Sequence, residues 1–402
     1  MIDKNKILSG DKVLWGILAL MGLFSFLPIF SSSSNLVYVI GTGTPLGYLF
    51  KHFIILIIGF FLMIGVHRIP YSYFKGISIL MMPLVIVLLI YTASQGTLIN
   101  GANASRWLKI PFIGVSFQTS ALASVVLMVY ISHYLSKIEN TNIQFKNSIL
   151  PFWTPVAIIL MLILPSNLSS VILLFLMVLV SSFLSGYPLK YLFIIISSSI
   201  VVFLVFLLVT KSFPDLIPNR IDTWISRIEN FNTSTGAGSE NYQIERAKIA
   251  IATGDIFGLG VGKSVMKNFL PQSSSDFIYA IIVEEYGIIG GVFIILLYLV
   301  LLFRILVVAH KAKSLFGKLL TMSIGLPIIF QAFLNIGVAV HVFPVTGQTL
   351  PMISSGGTSV WMTCISFGII LSVSSFYSNK INNKEDLIKN NQNPLNILGE
   401  TL

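Results

Sequence analysis

Residues 276–303 read DFIYAIIVEEYGIIGGVFIILLYLVLLF: a carboxylate at the entrance, two more at Glu284 and Glu285, then an unbroken uncharged run to Phe303. An apolar run of about 20 residues crosses a hydrocarbon core of about 30 Å as a helix, which rises about 1.5 Å per residue. A barrel strand needs only about 10 residues and alternates polar with apolar side chains. This run does not alternate. It reads as a membrane helix that satisfies its own backbone hydrogen bonds, as lipid cannot do for it.

The same pattern recurs on both sides of it. Expected spans are 13–31, 52–66, 76–95, 118–136, 151–165, 168–185, 190–210, 276–303, 319–341 and 356–378. The fold class is therefore all-α, a polytopic bundle of about ten transmembrane helices with both termini on one side. The chain is 55% hydrophobic and 10% charged, whereas about a quarter of a soluble domain is charged. The first run is too long for a signal-peptide core and lacks a small-x-small cleavage pattern, so it is the first membrane helix.

A formal net charge of +10 invites a nucleic-acid reading, but that requires basic residues gathered on one face. Here they follow topology. Lys4, Lys6, Lys12, Arg68, Lys75, Lys137, Lys146, Lys190, Arg304, Lys311, Lys313, Lys318, Lys380, Lys384 and Lys389 fall on one side; the short loops of the other hold only Lys51, Arg106 and Lys109. The positive-inside rule then places both termini in the cytoplasm and turns residues 211–275 outward. No nucleic-acid partner is expected. Cys364 is the single cysteine, which excludes a disulfide framework and a Cys-based metal site. Residues 1–379 read as one membrane domain, and the Asn- and Lys-rich tail 380–402 as disordered.

The segment 211–275 is unlike the rest. It carries Lys211, Arg220, Arg227, Arg246, Lys248, Lys263 and Lys267 against Asp215, Asp222, Glu229, Glu240, Glu245 and Asp255. A charged loop of this length is functional or disordered; its aromatic residues argue for folding, with a solvated spacer as the alternative. At its end stands Asp276, a candidate base or simply a helix cap. Glu284 lies roughly 12 Å further along. It either lines the same wet cavity or forms a helix-packing ion pair, because unpaired carboxylates at that depth are costly. The stretch from Gly254 to Ser264, GDIFGLGVGKS, lacks the first glycine of a P-loop. It is either a diphosphate cradle completed by Lys263 and Lys267 or a flexible turn. Arg106-Trp107 is an anionic-substrate contact or an interfacial anchor. Residues 343–359, FPVTGQTLPMISSGGTS, suggest a re-entrant or buried loop between spans.

Together these residues resemble the SEDS family of bacterial membrane proteins (FtsW, RodA and SpoVE), from Arg106-Trp107 to Ser359. The likeness is most specific at Tyr242-Gln243 through Gly262, at Leu270-Pro271 through Gly287, and at Pro344 through Ser359. It implies a peptidoglycan glycosyltransferase that polymerises lipid II at the outer face of a bacterial cytoplasmic membrane, with Asp276 as the essential aspartate. The substrate-contacting set it suggests is Arg106, Trp107, Gln118, Ser120, Arg220, Gln243, Arg246, Lys263, Lys267, Glu284 and Ser354. No metal ligands are assigned; Mg²⁺ or another divalent cation is an option for the diphosphate. Gly347-Gln348-Thr349-Leu350-Pro351 looks more like the division branch than the elongation branch. The implied partners are a class B penicillin-binding transpeptidase and other divisome membrane proteins. The chain departs from the family where members carry Gln-Pro-Ser-Glu and a following Lys, here Gln118-Thr119-Ser120-Ala121 and Ser124. It departs again where they carry Gln-Pro-Asp-Leu-Gly, here Leu164-Pro165-Ser166-Asn167-Leu168-Ser169. A lipid II flippase and a non-catalytic divisome scaffold are the competing readings.

Overall fold

The computed structural model describes residues 9–40, 44–94, 98–99, 102–103, 107–109, 116–138, 144–212, 224, 227, 239–270 and 273–391. Its helices are α1 (Lys12–Ile40), α2 (Pro45–His67), α3 (Phe74–Ser94), α4 (Thr119–Lys137), α5 (Phe145–Ile163), α6 (Leu168–Leu184), α7 (Leu189–Ser212), α8 (Ser239–Gly254), α9 (Ile278–Lys311), α10 (Leu315–Ala339) and α11 (Thr358–Asn391). Among the described residues, nine helices are long and apolar enough to cross a membrane, and α6 is a shorter apolar tenth. The chain is a multi-pass membrane protein, and each expected span has its helix.

The break between α5 and α6 follows from local chemistry. Pro165 has no N–H to continue the α5 ladder, and Asn167 caps α6 by accepting a hydrogen bond from Ser170 N at 3.3 Å. The end of the chain differs from expectation. The last helix continues to Asn391, past Lys380 where the sequence reading starts a disordered tail. No Gly or Pro interrupts residues 380–391, so the helix propagates beyond its apolar part; residues 392–402 lie outside the described set.

Burial ranks the helices. In α10, 67% of the membrane-crossing window is inside the protein and in α4 and α11 61%, against 6% in α7. The centre is thus α4, α10 and α11, with α7 at the periphery. Side-chain bonds define the two ends. At one, Asp11 before α1 forms an ion pair with Arg304 of α9, Tyr71 before α3 meets Ser314 before α10 at 3.0 Å, and Lys75 Nζ lies 4.8 Å over the Phe316 ring. The opposite end gathers the C-terminal part of α1, the start of α4, the α5–α6 turn, the entrance to α9 and residues 340–357. Two short antiparallel ladders join α3 to α4, Leu98–Ile99 with Ala102–Asn103 and Trp107–Lys109 with Ser116–Gln118.

Candidate functional site

Asp276 lies in a turn just before α9, half-buried. It directly precedes the cap position, Phe277, whose side chain makes no cap hydrogen bond. The turn is held by residues 344–359, which pack against it as a buried loop. Ser354 Oγ donates to Ser275 O at 2.6 Å and accepts from Leu350 N at 2.8 Å. Ser355 donates to Ser274 O from both its N and its Oγ, each at 2.9 Å. Tyr298 OH donates to Pro351 O. Asn335 Nδ2, from α10, donates to Asp276 O at 2.8 Å and to Gln348 O at 2.7 Å.

Gly347, at φ +66°, completes this surrounding. A Cβ placed there would stand 3.7 Å from Asp276 Oδ2, so the loop backbone passes close beside the carboxylate. The loop also reaches the turn between α5 and α6, where Gln348 Nε2 donates to Ser170 Oγ at 2.9 Å. It reaches α4 as well, where Gln118 N donates to Thr358 Oγ1 at 3.1 Å and Gln118 Nε2 to Ser120 Oγ at 3.2 Å. Of the sequence candidates, Asp276 thus sits in the turn packed by the 344–359 loop and Ser354 in that loop; Gln118 and Ser120 are bonded to each other, with Gln118 reaching Thr358 at the end of the loop.

Glu284 departs from expectation. Its side chain is fully buried and is bonded to the turn at 264–266. Ser264 Oγ donates to Oε2, while Val265 N and Met266 N donate to Oε1 at 2.9 and 3.1 Å. The carboxylate thus holds the 264–266 turn, since three donors supply what water would otherwise give a buried charge. Among the described residues it forms no ion pair. Glu285 is its neighbour in role: Oε1 accepts from Ser31 Oγ of α1 and from Ser264 N at 3.3 Å. Lys267, expected as a diphosphate contact, spends its ammonium locally, donating to Gly262 O at 2.7 Å and Ser31 Oγ at 3.2 Å. Arg246 stacks over Tyr242 and Phe269, its guanidinium carbon 4.7 and 5.6 Å from the ring centres. Lys263 is exposed, and Gln243 half-buried on α8. Arg106 and Arg220 lie outside the described residues; Trp107 pairs with Gln118 across the ladder.

The first half of the glycine-rich stretch after α8 is held by backbone pairing, not a loose turn. It crosses a break in α9. Gly287 has φ +69° and ψ −172° inside the helix, and four backbone bonds tie the two chains: Leu259 N to Glu284 O, Gly260 N to Glu285 O, Ile288 N to Asp255 O and Ile289 N to Ile256 O. A Cβ at Gly254, Gly258 or Gly287 would fall 2.1 to 2.2 Å from a carbonyl oxygen of the other strand. Glycine is needed here for close backbone approach.

Sequence reasoning missed Asn335, Gln331, Gln348 and Ser31. A signal existed for the first pair: two carboxamides four residues apart fall on one face of a membrane helix, and polar groups there need partners. Burial, helped by the Lys248 charge, holds the His341 imidazole below its usual value of 6.5. Among the described residues no group of three or more His, Cys, Asp or Glu side chains is placed to hold a metal ion.

Comparison with known proteins places this geometry. A family model for FtsW, RodA and SpoVE, described as "Cell cycle protein", matches residues 11–379. A relative from Buchnera aphidicola subsp. Schizaphis graminum is 34% identical over 333 residues, 81% of this chain and 88% of its own. One from Nitrosococcus halophilus is 28% identical over 335 residues, 82% and 84% of the two chains. Both carry the name "Probable peptidoglycan glycosyltransferase FtsW". Among solved structures, the chain resembles Thermus thermophilus rod shape determining protein RodA, with TM-score 0.63, 22% identity and coverage of 92% and 98%. It also resembles a subunit of a peptidoglycan synthase complex that coordinates polymerization and crosslinking, with TM-score 0.68, 23% identity and coverage of 92% and 99%. At these identities the structural likeness speaks for the fold.

Proposed function

The chain belongs to the FtsW/RodA/SpoVE family, and from that premise we propose that it is a peptidoglycan glycosyltransferase polymerising lipid II during cell division, with Asp276 as its general base. A sugar hydroxyl of one lipid II attacks the anomeric carbon of another. The new glycosidic C–O bond forms as the bond to the diphosphate breaks. The hydroxyl proton passes to the Asp276 carboxylate, and undecaprenyl diphosphate leaves with its electron pair. An inverting transfer of this kind manages with one base, because the leaving group needs no protonation.

The observation that carries the reading is the surrounding of Asp276: a half-buried carboxylate, fixed through its main chain by Asn335 and flanked by a glycine backbone. It stands at the end of the bundle away from the Asp11–Arg304 pair. With the termini in the cytoplasm, that end faces outward, where lipid II keeps its tail in the membrane and offers its sugars. Lys263 and Arg246 supply positive charge on the same side; Lys267 supplies architecture. A class B penicillin-binding transpeptidase is the partner this activity calls for, and the crosslinking complex of similar fold motivates it.

Purified protein given labelled lipid II tests the reading. Glycan chains form, and Asp276→Asn lowers their rate by about 100-fold or more, the scale of a lost general base. Polymerisation that survives the change overturns the assignment. Ala121, Ser124 and Ser166, where the family carries charge, favour a second reading as a non-catalytic scaffold; that reading predicts no chains from the unaltered protein.

A further inference from the structure

Asn335 lies about one turn before the end of α10, with its side chain 1% exposed. Its Nδ2 makes two bonds to main-chain carbonyls on different loops, Asp276 O at 2.8 Å and Gln348 O at 2.7 Å. Its Oδ1 is buried without a hydrogen-bond partner. An unpaired buried acceptor is unfavourable, so the carboxamide is held in this orientation by what its donors do. One turn earlier Gln331 Nε2 donates to Thr349 O at 2.9 Å, which fixes the same loop to the same helix. Immediately before these anchored residues lies Gly347, where the backbone passes beside the Asp276 carboxylate. One amide group therefore sets both the chain that bears the carboxylate and the chain that walls it.

We propose that Asn335 is the positioning residue for Asp276, fixing the distance between the carboxylate and the Gly347 backbone without itself touching substrate. The inference rests on Asp276 acting as the base. A base displaced by about 1 Å loses on the order of 100-fold in rate even when substrate binding is intact. The effect of losing Asn335 falls on kcat and leaves KM, because lipid II still meets the same outer surface.

The test uses full-length protein with Asn335→Leu and Asn335→Asp, two shape-conserving changes that each remove both N–H donors. Lipid II polymerisation gives kcat and KM, and a thermal melt in detergent gives the folded fraction. The expected result is a kcat reduced about 10–100-fold, with KM within about twofold and a melting midpoint close to the parent. Asn335→Asp keeps a polar group at the site and decides the matter if Asn335→Leu fails to fold. A folded variant that keeps the parental kcat overturns the inference; so does a loss of kcat that merely tracks the folded fraction. Asp276→Asn is measured alongside. If it is inactive while the Asn335 variants are not, this inference falls alone; if it retains activity, the reading of Asp276 as base falls first.

Discussion

Glu284 separates architecture from chemistry, because its carboxylate is fully buried and its acceptor positions are occupied by the 264–266 turn. Glu284→Ala leaves Val265 N, Met266 N and the Ser264 hydroxyl without their acceptor. A buried donor left unpaired costs about 1–3 kcal/mol. Val265 and Met266 are only part-buried at these bonds, so the lower half of that range applies and the gross loss over three donors is about 3–6 kcal/mol. Relief from burying a charge offsets part of this, leaving about 2–5 kcal/mol. Glu284→Gln keeps an oxygen for the two backbone donors and turns an amide toward Ser264, whose hydroxyl can accept; its cost is about 1 kcal/mol, the charge-assisted share. The assay is the melting midpoint of detergent-purified protein, with lipid II polymerisation expressed per folded molecule. Since 1 kcal/mol moves the midpoint by about 2–4 °C in chains of 150–250 residues and by less in longer ones, Glu284→Ala lowers it by several degrees. Glu284→Gln stays near the parent, and activity per folded molecule holds in both. A Glu284→Gln protein that melts like the parent yet loses more than about tenfold in polymerisation refutes the structural assignment.

Gly287→Ala meets Ile256 O at 2.1 Å in a conformation with φ +69°; strain of about 1–3 kcal/mol, added to crossing bonds worth about 0.5–1.5 kcal/mol each, abolishes recovery of monodisperse protein in size exclusion. Gly186→Ala, with φ +80° but nothing within 4 Å of the added carbon, costs only about 1–2 kcal/mol and is recovered. His341 gives a pH dependence. Its folded value lies below 6.5, so the unfolded chain binds more protons in that window, and stability is level above about 6.5 and falls as pH drops below it. His341→Asn tolerates the same φ of +61° and should flatten the loss in melting midpoint between pH 7.5 and 5.5.

The bundle was legible because hydropathy is summed over about 20 residues, so a single misplaced residue does not change the outcome. The narrow Pro165–Asn167 break was read only through the charge rule, which needs an even number of spans; the structure shows that Asn167 caps the second helix there. The candidate site was legible only in part. The position of Asp276 at the junction of loop and helix was readable, and so was the 343–359 stretch as a buried loop. The bonds of Glu284 were not legible, because a helical wheel relates it to Asp276 but says nothing about residues 264–266, which fold back from outside the helix. The bonds of Lys267 were hidden for the same reason: its charge is visible in the sequence, whereas its contact with Ser31, 236 residues away, is not. The tail was read by composition alone, which does not register a helix propagating from α11.

The break at Gly287 explains why the site can exist at this place. An unbroken helix from Ile278 to Lys311 would satisfy its own backbone and leave nothing to hold an outer segment against it. At the break, the carbonyls of Glu284 and Glu285 and the N–H groups of Ile288 and Ile289 are released, and the 255–260 strand takes all four. Glu284 and Glu285, in the same turn, then capture the next stretch at 264–266. The segment leading to Asp276 is thereby anchored on one side by α9 itself and on the other by the 344–359 loop, which α10 holds through Asn335 and Gln331. Non-helical backbone at such a position requires partners from protein, and here those partners are carboxylates, carboxamides and closely approaching glycines. The polar residues of α9 and α10 are therefore the scaffold that holds the half-buried Asp276 turn in place, and the close backbone approach accounts for Gly254 and Gly258.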